Sequence, residues 1–143
     1  MALALAEARA AAARGEVPVG AVVVDADGTV LARAGNRTEA DNDPSAHAEI
    51  LALRAAAASK GAPRLPDCDL YVTVEPCAMC AAAISFARIR RLYFGADDPK
   101  MGAVEHGPRF FRQPTCHHAP EVYGGIAESA AAALMRDFFK ARR

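Results

Sequence analysis

The sequence predicts an α/β domain, and two observations carry this prediction. Residues 69–74 and 89–94 are short runs of β-forming side chains, and residues 77–86 between them have helical composition. Two strands joined by a helix in this way form a β-α-β unit, which is parallel and right-handed. The chain also has 143 residues, 52% of them hydrophobic, which is enough to bury one sizeable core. We therefore expect residues 1–143 to form a single domain.

The elements before this unit are predicted from composition and turn residues. Residues 1–14 are rich in Ala, Leu, Glu and Arg and have no breaker before Gly15, so we expect a helix that packs on the sheet. Residues 17–35 predict a hairpin, because a buried-strand run and a return strand flank the turn sequence Asp-Ala-Asp-Gly. A further helix is expected over residues 46–60, where Gly61 ends it.

The elements after the unit are marked less clearly. Residues 95–123 are rich in Gly and Pro and are expected to form loops, which often carry function. A short last strand is expected within residues 121–126. The last helix is expected over residues 128–143, because apolar side chains recur there at i, i+4 spacing before a basic end.

Charge and cysteine content narrow the possible classes of protein. Lys and Arg together number 17, as do Asp and Glu, so any binding of RNA must come from local patches rather than net charge. No apolar run is long enough to span a membrane, and the N-terminus lacks the pattern of a signal peptide. The four cysteines suit a reducing compartment, so we expect a cytoplasmic protein.

Two short segments have the composition and spacing of a metal site. His47 and Glu49 form H-x-E, and Cys77 and Cys80 follow Pro76 to form P-C-x-x-C. One imidazole and two thiolates are ligands that zinc takes, and a set of three protein ligands leaves the fourth tetrahedral position to water. Glu49 is then the natural proton carrier for that water.

Proline marks a helix start in both segments. Asp43 and Pro44 predict an N-cap and a first helical residue, which would place His47 and Glu49 near the opening of a helix. Whether side chains two residues apart on a helix reach one pocket is a point for the structure to decide.

Pro76 is expected to open a second helix, with Cys77 and Cys80 at i and i+3 on one face of its first turn. The positive end of the helix dipole lowers a cysteine pKa and favours metal binding. The alternative is a closed structural zinc site or two unrelated buried cysteines. A closed site needs a fourth Cys or His at ligand spacing, and none follows either segment.

Two further features allow more than one interpretation. Asn36 lies in a polar loop that leads into the helix of His47, so it is either an ordinary loop residue or part of the lip of the pocket. Cys116, His117 and His118 suggest a second metal site, but the flanking prolines favour residues at a pocket edge or on the surface.

Six stretches, spread in order over nearly the whole chain, resemble a known family. The chain resembles the zinc deaminases of the cytidine deaminase superfamily. Among them it is most similar to the bacterial tRNA-specific adenosine deaminases, which convert the wobble adenosine of an arginine tRNA to inosine. The matching stretches are residues 16–21, 35–37, 46–50, 70–80, 94–96 and 137–139.

The resemblance implies a fold, a cofactor and an assembly. The fold would be a three-layer α/β/α arrangement with a mixed, mostly parallel five-stranded sheet, and the protein would be a homodimer. His47, Cys77 and Cys80 would bind one zinc ion per subunit. A water activated by zinc would attack C6 of adenine, Glu49 would shuttle protons, and ammonia would leave.

The resemblance also implies how the tRNA anticodon stem-loop is bound. Val19 would line a wall of the base pocket, and Asn36 and the backbone of Ala48 would hydrogen-bond the flipped base. Asp98 would meet the substrate backbone, and Phe139 and Arg142 would touch the anticodon arm.

Three functions remain open on the sequence. The first is deamination of the tRNA wobble adenosine. The second is deamination of a free base or nucleoside, such as guanine or cytosine, by an enzyme of the same fold. The third is a non-catalytic, zinc-stabilised subunit that binds RNA or a partner. Glu49 argues against the third, because a structural metal site has no use for an uncoordinated carboxylate.

Overall fold

The computed structural model describes residues 1–142 of the chain. In chain order the elements are α1 (Ala2–Ala13), β1 (Gly20–Val24), β2 (Val30–Gly35), α2 (Ala48–Lys60), β3 (Asp69–Val74), α3 (Ala78–Phe86), β4 (Arg91–Ala96), a short 3₁₀ helix (Phe110–Arg112), β5 (Glu121–Tyr123) and α4 (Glu128–Lys140).

The strands form one mixed sheet in the order β2-β1-β3-β4-β5. Strand β1 is antiparallel to both of its neighbours, whereas β3, β4 and β5 are parallel. Four strands therefore point the same way and β1 alone is reversed. The predicted α/β class, the hairpin and the parallel β-α-β unit are confirmed.

Helices cover both faces of the sheet. Alanines of α2 and Ile84 of α3 pack against Leu70, Val72 and Phe94 to form the main core. On the other face α1 and α4 approach the sheet at glycines: a Cβ added at Gly20 would collide with the backbone of α1, and one added at Gly95 would lie 3.0 Å from a side chain of α4. These contacts make the three layers that the family resemblance implied.

Strand β4 lies two residues later than predicted. The sequence indicated residues 89–94, but pairing with β3 starts at Arg91 and continues to Ala96. Ile89 and Arg90 complete the preceding turn instead, because their backbone N–H groups bond to Ile84 and Cys68. Because of this shift, Ala96 at the end of β4 pairs with Val74, just before the segment that carries Cys77.

The predicted helix ends are correct to within a few residues. The last strand is shorter than the predicted 121–126, and α4 ends at Lys140. The predicted continuation of α4 through residue 143 lies partly outside the described residues. No helix within residues 1–142 has the length and apolar character needed to cross a bilayer.

Candidate active site

His47, Cys77 and Cys80 come together at the carboxyl end of β3, with their ligand atoms within 4.8 Å of one another. His47 Nδ1 lies 3.7 Å from Cys77 Sγ and 3.6 Å from Cys80 Sγ. A tetrahedral zinc ion with ordinary Zn–N and Zn–S bonds separates such atoms by about 3.6 Å. The three side chains therefore could hold zinc without rearrangement.

The start of α2 differs from the prediction, and this difference explains how His47 and Glu49 reach the same cleft. The helix begins at Ala48, with His47 as an extended N-cap at φ −73° and ψ 151°. Asp43 is not an N-cap: its carboxylate accepts hydrogen bonds from the N–H and hydroxyl of Ser45 in a local turn. Because His47 is outside the helix and Glu49 is inside it, the two side chains are not bound to opposite helix faces and both line the same cleft.

The cysteine segment nearly matches its prediction. Cys77 is the N-cap of α3, again in extended conformation, and the helix proper begins at Ala78. Cys80 is therefore the third helical residue and lies over the same turn. His47 and Cys77 are thus both at a helix N-terminus, where the partial positive charge favours the thiolate of Cys77.

The three side chains shift one another's pKa values. A hydrogen bond from Cys80, with a further one from His47, lowers the pKa of Cys77 to about 4. The same bond to Cys77 and burial raise the pKa of Cys80. The hydrogen bond to Cys77 raises the pKa of His47. Cys77 is therefore a thiolate at neutral pH, and metal binding must displace the proton from Cys80.

Glu49 is a buried carboxyl group beside this metal group. It is only 4% exposed, and burial raises its pKa to about 6. A carboxyl group with a pKa close to neutral is able both to take and to return a proton. This is the property that hydrolysis of a C–N bond requires of an acid/base residue.

The metal group opens into a cleft of about 690 Å³. Four of the residues predicted to bind substrate line it, namely Val19, Asn36, Asp98 and Phe139. Residues that the sequence did not single out also line the cleft, and most of them come from the loops and from α4. Among them are Val17, Thr38, Lys100, Met101, Met135 and Arg136.

Asn36 is held rigidly at the lip of the cleft. Its side-chain oxygen accepts a 2.8 Å hydrogen bond from Ala48 N, and its backbone bonds to Val19 and Arg14. Asn36 therefore satisfies the first free N–H of α2. Ala48 was predicted to contact the base through its backbone, and the N–H of that backbone already bonds to Asn36. The amide nitrogen of Asn36 remains as a donor.

Arg142 does not lie in the cleft. It is exposed, and its guanidinium stacks 3.5 Å from the ring centroid of Phe138. Phe139, which follows Phe138 on α4, lines the cleft. Arg142 is thus close to the cleft along the chain but separate from its lining.

Two buried carboxylates that the sequence analysis did not single out organise the loops around the cleft. Glu16 accepts hydrogen bonds from the N–H groups of Glu39 and Ala40, and Glu75 accepts them from the loop after β4. Burial alone would raise the pKa of each carboxyl group, but these hydrogen bonds hold the pKa of both below the ordinary value. Both residues stand in the matching stretches, yet nothing in their local pattern separates a buried Glu from an exposed one.

Cys116, His117 and His118 do not come together as a metal group in the described part of the chain. His118 bonds through Nε2 to the carbonyl of Ile89, and Cys116 bonds to the carbonyl of His118. The interpretation as residues at the surface or a pocket edge is therefore supported.

A three-ligand His-Cys-Cys group at the carboxyl edge of an α/β sheet, open to a cleft and flanked by a buried carboxyl group, defines a zinc-dependent deaminase. Residues 1–96 match the family described as the cytidine and deoxycytidylate deaminase zinc-binding region. The cofactor is accordingly zinc.

Comparison with individual proteins narrows this class. The tRNA-specific adenosine deaminase of Agrobacterium fabrum is 65% identical over 143 residues, which cover 100% of this chain and 93% of that protein. A solved structure described in studies of A-to-I editing by tRNA:A34 deaminases at the wobble position matches with a TM-score of 0.92 and 66% identity, covering 94% of this chain and 96% of that chain. The chain belongs to the family of tRNA-specific adenosine deaminases.

A more distant relative has a different substrate. The guanine deaminase of Nitrosomonas europaea matches with a TM-score of 0.81 and 28% identity, over 96% of this chain and 81% of that chain. The same fold therefore occurs in an enzyme named for a free base.

Proposed function

We propose that this chain deaminates the wobble adenosine of a tRNA anticodon, that of an arginine tRNA, to inosine. The observation that carries the proposal is the position of Glu49, buried and with its pKa raised to about 6, beside a three-ligand metal group that opens into the cleft. His47, Cys77 and Cys80 are the proposed zinc ligands. Residues 1–143 are proposed to form one deaminase domain.

The reaction exchanges the amino group at C6 of adenine for oxygen from water. Bound zinc would supply a water with its pKa lowered to about 7. Glu49 takes a proton from this water and places it on the adenine ring. It then takes the remaining proton of the added water and delivers it to the departing amino group, so that adenosine and water give inosine and ammonia. Its burial favours the neutral acid that forms within each transfer.

The walls of the cleft are proposed to hold the base. Val19 offers an apolar surface, and the free amide nitrogen of Asn36 donates to an acceptor on the purine. Ala48 would contribute through its backbone, although its N–H already bonds to Asn36. An unpaired anticodon base leaves its stack at low cost, so it reaches this depth readily.

The mouth of the cleft supports an RNA substrate. Lys100 and Arg136 line it beside the carboxylates of Asp97 and Asp98, and Phe139 supplies an exposed aromatic ring. Asp98 is proposed to meet the substrate backbone, and Arg142 the anticodon arm beyond the cleft. Lys100 and Arg136 are the side chains proposed to meet phosphate groups of the substrate.

We further propose that two copies of the chain form a homodimer. Two large apolar side chains seven residues apart lie on one side of α3 and are exposed: Met79 is 38% exposed and Phe86 72%. Such a surface is typical of an interface. The proposed tRNA substrate implies a cytoplasmic location.

The test is inosine formation on a short anticodon stem-loop with a wobble adenosine, measured beside free adenosine, cytosine and guanine. We expect inosine in the stem-loop and no turnover of the free compounds. Turnover of guanine alone would contradict the tRNA proposal and favour the activity named for the Nitrosomonas relative. No turnover of any substrate by zinc-loaded protein would favour a non-catalytic subunit.

A further inference from the structure

We propose that Glu75 is a positioning residue that holds one wall of the cleft in place for substrate binding. The inference rests on the proposed function, because it assigns the wall to substrate. Glu75 follows β3 directly and precedes the metal-binding segment, and its side chain is fully buried. It does not touch the reacting atoms, so its effect is exerted through the loop that it binds.

The carboxylate of Glu75 ties both ends of this loop to one point. At the near end, Asp98 N donates to Oε1 over 3.1 Å. At the far end, the N–H groups of Val104, Glu105 and His106 donate to Oε2 over 2.9–3.1 Å, and His106 Nδ1 lies 2.8 Å from Oε1. Five hydrogen bonds to one charged acceptor exceed what a neutral side chain could accept in the same place.

The residues between these two ties form the wall. Asp98, Lys100 and Met101 all line the cleft, and they belong to none of the helices and strands of the described chain. The loop also joins the metal-binding segment, through an isolated β-bridge between Cys77 and Gly102. Glu75 therefore fixes the wall relative to the metal group.

Gly102 provides an independent sign that the fit is close. A Cβ at this residue would collide with both the Glu75 carboxylate and the backbone of Asp98. The loop thus wraps around the carboxylate with no space for a methyl group. A change at Gly102 should disturb the same wall without altering the charge of Glu75.

The consequence concerns binding rather than chemistry. Glu49 and Cys80 lie on α2 and α3, and His47 and Cys77 are the N-caps of those helices. The hydrogen bonds of the Glu75 carboxylate go to the loop and to none of these four residues. Loosening the loop should therefore weaken the grip on the stem-loop and leave zinc and proton transfer intact. A shift of an ångström in a positioning group is enough to change binding or rate by a large factor.

The test is Glu75→Gln, in which one oxygen becomes an amide nitrogen that cannot accept the two or more N–H groups now bonded to it. We expect zinc content equal to wild type, KM for the stem-loop raised about ten-fold, and kcat changed less than about three-fold. We also expect amide hydrogen exchange at Val104 and Glu105 to be faster by about ten-fold or more. Gly102→Ala should change KM and exchange in the same direction.

The matched control is Asp69→Asn. Asp69 begins the same strand that Glu75 follows, and its carboxylate binds Arg90 through two 2.9 Å hydrogen bonds. The Asp69→Asn substitution removes a partly buried carboxylate at the opposite end of β3 from the wall, so KM should stay at the wild-type value. If the Glu75→Gln protein does not fold, His106→Ala tests the same wall. It removes only the bond from the His106 side chain, which is 34% exposed, and should raise KM by a smaller factor.

Unchanged exchange at Val104 and Glu105, or a fall in kcat with KM unchanged, would overturn the proposal. Failure of the proposed function gives a different result. A wild-type protein that is inactive on the stem-loop contradicts the tRNA assignment, while the exchange measurement still decides whether Glu75 holds the loop.

Discussion

At the scale of single residues, the proposed proton carrier is distinct from the proposed metal ligands. Glu49→Gln keeps the size of the side chain and removes its ability to take a proton. We expect zinc to be retained and kcat on the stem-loop to fall by about 10²–10⁴-fold, as measured by inosine formation and metal analysis. Glu128→Gln, an exposed change at the start of α4, should leave both unchanged. Near-normal turnover by Glu49→Gln would exclude the proposed role.

The metal ligands are predicted to support stability as well as activity. Cys77→Ser replaces a thiolate at the N-cap of α3 with a hydroxyl that zinc binds poorly. We expect loss of zinc and a lower midpoint of thermal unfolding, because binding free energy contributes to folding. The matched control is Cys116→Ser, a half-buried free cysteine outside the metal group, which should keep full zinc. Full zinc occupancy in Cys77→Ser would show that Cys77 is not a ligand.

At the scale of elements, α1 packs closely enough on the sheet that only glycine fits beneath it. Gly20→Ala directs a methyl group into the backbone of α1 at Ala4. A backbone obstacle cannot rotate away, so we expect a loss of about 3 kcal/mol in the free energy of unfolding, the upper end for overpacking. Gly28 has φ +89° and open space around it. Gly28→Ala should therefore lower the free energy of unfolding by only about 1–2 kcal/mol. Equal losses in denaturant unfolding would refute the steric explanation.

The loop between β2 and α2 is expected to be sensitive to acid through Glu16. Hydrogen bonds hold the folded-state pKa of Glu16 below its ordinary value of 4.5, despite its burial. The folded state therefore binds fewer protons than the unfolded state in this range, so stability falls as the pH falls. The stability lost in Glu16→Gln should be greatest above pH 4.5 and should shrink as the pH drops below it. A loss that stays constant across an acid titration would contradict this assignment.

At the scale of the whole molecule, the exposed apolar surface of α3 is expected to mediate self-association. Phe86→Arg places a charge at its most exposed apolar side chain, and we expect a monomer in sedimentation measurements with zinc content unchanged. The matched control is Tyr123→Arg, which alters a 45% exposed aromatic residue on the edge strand β5 and should remain a dimer. A Phe86→Arg protein that is still dimeric would place the interface elsewhere.

The order and type of the elements were predictable over most of the molecule. Buried strand runs and turn residues mark β1, β2 and β3, because a strand and its turn depend on neighbouring residues. The start of β4 and the start of α2 were wrong by two residues. Each depends on a contact distant in sequence: Arg90 N bonds to Cys68, and Asn36 bonds to Ala48.

The sequence by itself determined the chemistry of this protein: the metal-binding residue types, their order and the carboxyl group beside them. Short spacings such as H-x-E and C-x-x-C carry that information, since each places two functional groups within about one turn of chain. Only the tertiary structure decided how the cleft is walled. Glu75 meets Val104 and His106 across some 30 positions of the chain, and the pairing of such distant groups depends on how the whole sheet and its loops pack, which no local pattern records.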